Sequence, residues 1–198
     1  MANRVYLIAA NSPTPVELLG ISAFPEVPIS QVLVAASNCL PPLWLACFTE
    51  ADVVAKTMTL NDGSPFSYSY GIVDTALARQ RVRARSDQLL AALSVSGETS
   101  AAVRAAIDQW PGFLDGVDTT HIHLEGYELM IMIPDGFDDL FRTSLRAFTL
   151  PLMRSGQTLP REWLEMLDVA LISPERPEEI EAHQLRGYAW ERPVPWAE

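Results

Sequence analysis

The residues whose types and spacing could do chemistry lie in one short stretch, where His121, His123 and Glu125 alternate with Ile122 and Leu124. In a β-strand alternate side chains share a face, so the two imidazoles and the carboxylate would stand in one row. These groups are ligands of divalent metals such as Zn²⁺, and a metal ion held there could activate water for hydrolysis. The same pattern fits the polar face of a half-exposed strand, or histidine acid–base chemistry without a metal. The sequence leaves these alternatives open.

Other catalytic signatures are missing from the sequence. Lys56 is its only lysine and no glycine-rich loop leads to it, which excludes a P-loop. The dinucleotide-binding, nucleophile-elbow, S-x-x-K, H-E-x-x-H and protein-kinase motifs are absent as well. Cys39 and Cys47 lack zinc-ribbon spacing, and we expect both thiols to be buried in a reducing compartment. These absences favour a protein that is not an enzyme and that needs no cofactor.

Charge is the second informative feature. The chain carries 25 acidic and 14 basic residues, for a net charge of −11, and no lysine or arginine stands between Arg104 and Arg142. An acidic balance disfavours nucleic-acid binding and favours a basic protein partner, although a one-sided stretch can also be a solvated face. The candidate partner-binding residues are Asp108, Asp115, Asp118, Glu128, Asp135, Asp138 and Asp139.

The one cluster of basic residues consists of Arg79, Arg81, Arg83 and Arg85. On a helix, Arg79 and Arg83 share one side, and Arg81 and Arg85 lie nearly opposite. This division argues against a single nucleic-acid-binding face. A solvated helix paired with acids, a contact with an anion and a salt-bridge network with a partner remain as interpretations.

The order of the predicted elements, with strands first and helices later, indicates an α+β fold in a single domain, in which several helices cover an antiparallel or mixed sheet. We expect a strand-rich region over 1–70, helices over 72–110, a hairpin over 120–133 that turns at Glu125-Gly126, helices over 135–187 and a packed tail over 188–198. In the predicted helix over 160–171, Trp163, Leu164, Leu167 and Leu171 would face inward. The expected elements are a strand over 5–9 and helices over 72–93, 99–109, 137–152, 160–171 and 177–186. The apolar runs over 31–36 and 43–48 are each compatible with a strand or a short buried helix, and the composition of 43–48 favours a strand.

Three further expectations concern surfaces and location. The apolar stripe over 137–152 could serve as a self-association interface. The proline-rich residues 13–30 should form an ordered loop over the surface. The first apolar run, Val5 to Ala10, is too short for a signal peptide or a membrane span, so we expect a cytoplasmic protein that does not bind membranes.

The opening Met1-Ala2-Asn3-Arg4-Val5-Tyr6-Leu7 resembles the start of an uncharacterised bacterial family, and Pro42-Leu43-Trp44-Leu45-Ala46 is similar to a later stretch of it. The resemblance implies no catalytic residue. Small acidic proteins of this kind are met as immunity proteins beside bacterial toxins. We therefore expect an immunity or inhibitor protein that neutralises a basic toxin or effector, with a metal-dependent hydrolase at His121, His123 and Glu125 as the alternative.

Overall fold

The sheet of the molecule has five antiparallel strands, seen in a computed structural model that describes residues 4–16, 31–60, 62–95, 97–132, 136–154 and 156–188. The spatial order is β2-β1-β5-β4-β3, so β5 lies in the middle although it comes last along the chain. With helices concentrated in the C-terminal half, the predicted α+β class is confirmed. The strands are β1 (Arg4–Ala10), β2 (Val32–Ser37), β3 (Val53–Thr59), β4 (Pro65–Asp74) and β5 (His121–Glu125).

The two longest helices follow strand β4 and begin at side-chain caps. Asp74 accepts a hydrogen bond from the Leu77 amide, and Ser100 accepts one from the Val103 amide, which satisfies backbone donors that a helix start leaves free. None of the described helices is long and apolar enough to cross a membrane. The helices are α1 (Pro42–Leu45), α2 (Thr75–Leu93), α3 (Ala101–Asp115), α4 (Tyr127–Met132), α5 (Phe137–Arg146), α6 (Arg161–Val169) and α7 (Ala182–Arg186).

The two faces of the sheet differ in what they bury. Leu7, Ile122 and Leu124 belong to the large core that the sheet shares with the helices. On the other face, Tyr6 and Ile8 belong to a smaller apolar cluster. Cross-strand register pairs Ile8 with His123 and Tyr6 with Glu125, so the alternate residues of β5 that could do chemistry lie on this second face.

Two predicted elements take another form. Residues 43–48 were expected as a strand, but the helix α1 begins at Pro42 because a proline at the first position suits a helix start. Residues 120–133 were expected as a hairpin. Among the described residues of that stretch, 120–132, only β5 is a strand, and α4 begins directly after Gly126.

The predicted end of the helix over 99–109 is also wrong, since α3 continues to Asp115 with Pro111 inside it. An interior proline removes one backbone hydrogen bond and costs about 3 kcal/mol. Trp110 and Leu114, on either side of it, are fully buried. Their burial stabilises the helix beyond the proline by about 1.5–3 kcal/mol each, which offsets the lost bond.

The apolar stripe that could have formed a self-association interface lies in the core instead. Phe137, Phe141, Leu145 and Phe148 are all at least 95% buried, and only Leu152, beyond the end of the helix, is exposed. The stripe therefore packs the helix α5 against its own domain. Most of the predicted loop, residues 17–30, and the tail after Tyr188 lie outside the described residues.

Candidate functional site

The predicted row of His121, His123 and Glu125 does form on one face of β5. Because β5 is the central strand, His123 and Glu125 are buried, whereas His121 at the strand's start is half-buried. The rings of His121 and His123 stand edge to face, with centroids 6.4 Å apart. The alternation predicted from the sequence is therefore correct, but the three residues differ in exposure, since only His121 reaches the solvent.

His123 has a protein partner on each ring nitrogen. Its Nε2 lies 2.9 Å from the Ser12 carbonyl oxygen, and its Nδ1 lies 3.0 Å from the Tyr70 hydroxyl. A carbonyl can only accept, so Nε2 carries the proton and Nδ1 accepts from Tyr70. The Tyr70 oxygen in turn accepts a hydrogen bond from the Val16 amide. The Ser12 carbonyl thus fixes which atom donates and which accepts in each of the other hydrogen bonds.

Glu125 and Lys56 form the second half of the network. The Lys56 ammonium donates to Glu125 Oε2 at 2.7 Å and to the Val16 carbonyl at 2.7 Å. The Tyr68 hydroxyl also donates to Oε2, and the Tyr127 amide donates to Oε1. The side chain of Glu125 is only 3% exposed and that of Lys56 is 11% exposed. The ammonium also lies 4.7 Å from the centre of the Tyr70 ring, within range of a cation–π interaction.

Burial sets the protonation of this network. It lowers the pKa of His123 to about 4, since an imidazolium in the core would lose its hydration. Burial also raises the pKa of Glu125, and the ammonium of Lys56 opposes that rise. The arrangement therefore combines a neutral imidazole with a carboxylate that already has a cation beside it.

These contacts of His123 and Glu125 stabilise the fold. Ser12 and Val16 are held on the sheet by His123, Tyr70 and Lys56, so the network fastens the segment that follows β1. A metal ligand needs a free lone pair, and both nitrogens of His123 are engaged within the chain. Within the described part of the chain, no group of three or more histidine, cysteine, aspartate or glutamate side chains is arranged to hold a metal ion.

The candidate partner-binding acids do not stand together. Asp108 and Asp115 lie on α3, which packs against α2 and α7, whereas Asp138 and Asp139 begin α5, which packs against α6 and β4. Three of the acids have an arginine partner, so much of their charge is compensated within the chain. The pairs are Asp115 with Arg83 at 2.5 Å, Asp138 with Arg142 at 3.0 Å and Asp139 with Arg161 at 3.9 Å.

The remaining candidate acids fall into three cases. Asp108 and Asp118 are exposed, and no described lysine or arginine lies within ion-pair distance of either. Glu128 is half-buried and accepts a hydrogen bond from the Arg4 amide at 2.8 Å. Asp135 lies outside the described residues. Asp108 and Asp118 are thus the predicted acids that stay open to solvent and uncompensated.

Two of the clustered arginines reach the end of helix α3. Arg79 Nε donates to the Leu114 carbonyl at 2.9 Å, and Arg83 pairs with Asp115. A cation at a helix C-terminus interacts favourably with the unpaired carbonyls there. Arg79 and Arg83 therefore tie α2 to α3.

The other two arginines turn towards the segment after α1. Arg85 donates to the carbonyls of Ala46 and Phe48 at 2.9 Å and 2.6 Å, and Arg81 pairs with Asp52 at 2.5 Å. The four arginines thus serve two different internal junctions, in keeping with the opposite sides that helical geometry predicts. The guanidinium groups act as internal braces.

The two thiols have no chemistry to offer in this environment. Cys39 and Cys47 are free and buried. Burial raises the pKa of Cys39 to about 11 and that of Cys47 to about 12. A thiol is nucleophilic only as its thiolate, so neither residue is an activated nucleophile.

A feature that sequence reasoning missed lies beside the helix α6. A shallow groove of about 730 Å³ runs between the exposed side of α6 and the turn that follows it. Leu164 and Leu171 were expected to face inward, but these residues are 44% and 59% exposed. The groove lining combines these leucines with acids; it comprises Leu164, Glu165, Asp168, Leu171, Ile172, Ser173, Pro174 and Glu175.

The acids of the groove differ in their pairing. Glu165 lies 2.5 Å from Arg161, on the same helix. Asp168 and Glu175 are exposed, and among the described residues neither has a lysine or arginine within ion-pair distance. Two uncompensated carboxylates therefore stand next to two exposed leucines.

Leu171 has an unusual backbone for its residue type. It has a φ of 57°, in the left-handed region, and follows Ala170, the C-cap of α6. The Leu171 amide bonds to the Asp168 carbonyl and the Ile172 amide to the Leu167 carbonyl, the helix-ending pattern in which glycine usually occupies this position. A leucine there costs about 1 kcal/mol. Neither burial of the side chain nor the backbone geometry explains why this position holds a leucine.

The sequence held one signal of the groove. Apolar residues cover more of the surface of α6 than one buried face needs, since Trp163, Met166 and Leu167 already supply that face. The surplus leucines are the ones left outside.

Comparison of the chain with protein-family models, with curated proteins and with solved structures finds no match.

Proposed function

We propose that this chain is a non-enzymatic binding protein for a basic protein partner, in the manner of an immunity or inhibitor protein that neutralises a bacterial toxin or effector. The observation that carries the proposal is the placement of opposite charges. Lys56 and several arginines are engaged in contacts within the chain, and exposed acids outnumber exposed arginines among the described residues, so that a set of carboxylates faces solvent without a cation.

The inward direction of the positive charge is visible at Lys56, Arg79 and Arg85. Lys56 is buried against Glu125, and the two arginines donate to backbone carbonyls of neighbouring elements. By contrast, Asp108 and Asp118 are exposed, with no described cation at ion-pair distance. Among the described residues, exposed acids outnumber exposed arginines, so the described surface is acidic.

Such a surface favours one class of partner. Carboxylates that face solvent attract a positively charged protein and speed its association, and they repel phosphate backbones and other acidic molecules. An inhibitor gains from this because rapid capture keeps the concentration of free toxin low. The reverse arrangement, with inward acids and outward arginines, would favour nucleic acid.

The experiment co-expresses the chain with the product of each adjacent reading frame from the source genome. We expect one such product to arrest growth alone and to be neutralised by the wild-type chain. The purified pair should bind with an affinity that falls as salt is raised from about 50 to 300 mM, because screening shortens the reach of surface charges.

A charge-reversed variant tests the electrostatic basis. Asp108→Lys with Asp118→Lys changes two solvent-facing acids that have no described cation to release. We expect weaker binding and a smaller dependence on salt. The matched control is Asp87→Lys with Glu98→Lys, which places the same charge change on two exposed acids that likewise have no described cation at ion-pair distance. Equal affinity and equal salt dependence in wild type and the Asp108/Asp118 variant would contradict the proposal.

A further inference from the structure

The groove beside α6 has the composition of a docking site. Leu164, Asp168 and Leu171 follow one another at intervals of four and three residues, so they form one stripe along the exposed side of α6 and its C-terminal turn. A stripe of two leucines around a carboxylate on one helix suits a second helix packed beside it.

The charges around the stripe define what kind of helix fits. Asp168 and Glu175 are exposed, without a described cation at ion-pair distance, and Arg161 is occupied by Glu165. The C-terminal end of α6 adds the partial negative charge of its carbonyl groups. A segment with lysine or arginine beside leucine would cover the apolar stripe and compensate both carboxylates.

Leu171 supplies an independent reason to regard the stripe as functional. Its left-handed backbone is better suited to glycine, and the residue is 59% exposed, so the leucine gains little from the fold of this chain. A bound partner would bury that side chain. Contact with a partner explains a residue that the isolated domain does not require.

We infer that this groove is the anchoring site for a cationic, amphipathic helix of the basic partner, with Leu164 and Leu171 as apolar anchors and Asp168 and Glu175 as charge partners. The inference rests on the proposed function, since it names the part of the partner that is recognised. It places the centre of the interface on α6, away from the acids of α3, which act in long-range attraction.

The probe is a fluorescein-labelled helical peptide of about 15 residues built from leucine and lysine, long enough to hold a helix when bound. A second peptide keeps every lysine and replaces each leucine by glutamine. Fluorescence anisotropy measures both affinities, and ¹⁵N-resolved amide shifts of the whole chain locate the site. We expect the leucine-containing peptide to bind at least tenfold more tightly and to shift the amides of Leu164, Leu171 and Ile172.

The variants separate anchoring from charge. Leu164→Ala with Leu171→Gly suits both backbone conformations, and we expect it to weaken the leucine-containing peptide about tenfold with an unchanged salt dependence. Asp168→Asn with Glu175→Gln should reduce the salt dependence. The control pair Asp87→Asn with Glu98→Gln neutralises two exposed acids that lie outside the groove and have no described cation at ion-pair distance, and it should change affinity less than about threefold.

The outcomes also separate this inference from the proposed function. Salt-dependent binding of both peptides with equal affinity, or amide shifts confined to α3, would overturn the groove assignment while the basic-partner function stands. Failure of the lysine-bearing peptides to bind in any salt-dependent way, together with no neutralised product of an adjacent reading frame, would overturn both. A tenfold loss in the groove variant alone supports the inference.

Discussion

The network on the second sheet face and the groove beside α6 both contain acids and apolar side chains, but these groups are buried and partnered in the network and exposed in the groove. In the network, Glu125 is 97% buried in its side chain and every polar atom has a partner within the chain. In the groove, Asp168 faces solvent and Leu171 is 59% exposed, on a backbone that strains it. Completed contacts indicate a structural role, and incomplete contacts indicate a place for another molecule.

The comparison makes Lys56→Met the most damaging single change. It would leave the Glu125 carboxylate buried without its cation, and breaking a buried ion pair from one side costs about 3–5 kcal/mol. The free energy of unfolding in urea measures the loss. Lys56→Met with Glu125→Gln should lose less, because no unpaired charge then remains.

The control for this change is Arg176→Met, which breaks an exposed ion pair with Glu179. Exposed pairs contribute up to about 1 kcal/mol, so stability should change by no more than that. A similar small loss for Lys56→Met would mean that the network does not hold the fold together.

The second largest effect is a dependence of stability on pH that comes from His123. Its pKa is about 4 in the folded chain and near 6.5 when unfolded, so the unfolded chain binds the proton more readily between these values. Stability from this group is complete above pH 6.5 and is lost as pH falls, by about 1.4 kcal/mol per unit and about 3 kcal/mol by pH 4.

Urea unfolding at pH 7.5, 6.5 and 5.5 measures this slope in a window where most carboxylates stay ionised. His123→Gln keeps an amide that can face Ser12 and Tyr70 but does not titrate. It should be less sensitive to pH over that window by about 1.4 kcal/mol. An identical slope in wild type and variant would show that folding does not lower the pKa of His123, contrary to its burial and contacts.

The contrast between the two regions also explains what could be read from the sequence. The alternation of His121, His123 and Glu125 placed them on one face because side-chain direction in a strand is a local property. Their partners could not be predicted, since Lys56 and Tyr70 reach them through the register of β3 and β4, which long-range pairing sets. The fold class followed from strand patterns early in the chain and helix formers later.

Errors arose where a local pattern permitted two structures. The apolar residues 43–48 are too few to distinguish a strand from a buried helix. Leu164 and Leu171 were placed inward because apolar residues usually are, but Trp163 and Leu167 fill the buried face of α6. The surplus of apolar residues on α6 indicates that some of them lie outside, but the whole fold decides which ones, so the sequence alone does not identify the outward leucines.

On the groove side, the largest expected effect is a gain in stability. Leu171→Gly removes the strain of a left-handed leucine and exposes less apolar surface, while the unfolded chain gains some flexibility, for a net stabilisation of about 0.5–1 kcal/mol. Thermal and urea unfolding both measure it. Leu164→Gly is the matched control: it makes the same change at a helical φ inside α6, and it should destabilise by about 1 kcal/mol.

The smallest effect on stability is expected at the groove carboxylates. Asp168→Asn with Glu175→Gln removes two charges that contact no described cation, so the free energy of unfolding should change by at most about 0.5 kcal/mol. Because the chain already carries a charge of −11, any change should be towards greater stability. A loss of more than about 1 kcal/mol would mean that these carboxylates complete contacts within the fold, and the distinction between the two regions would fail.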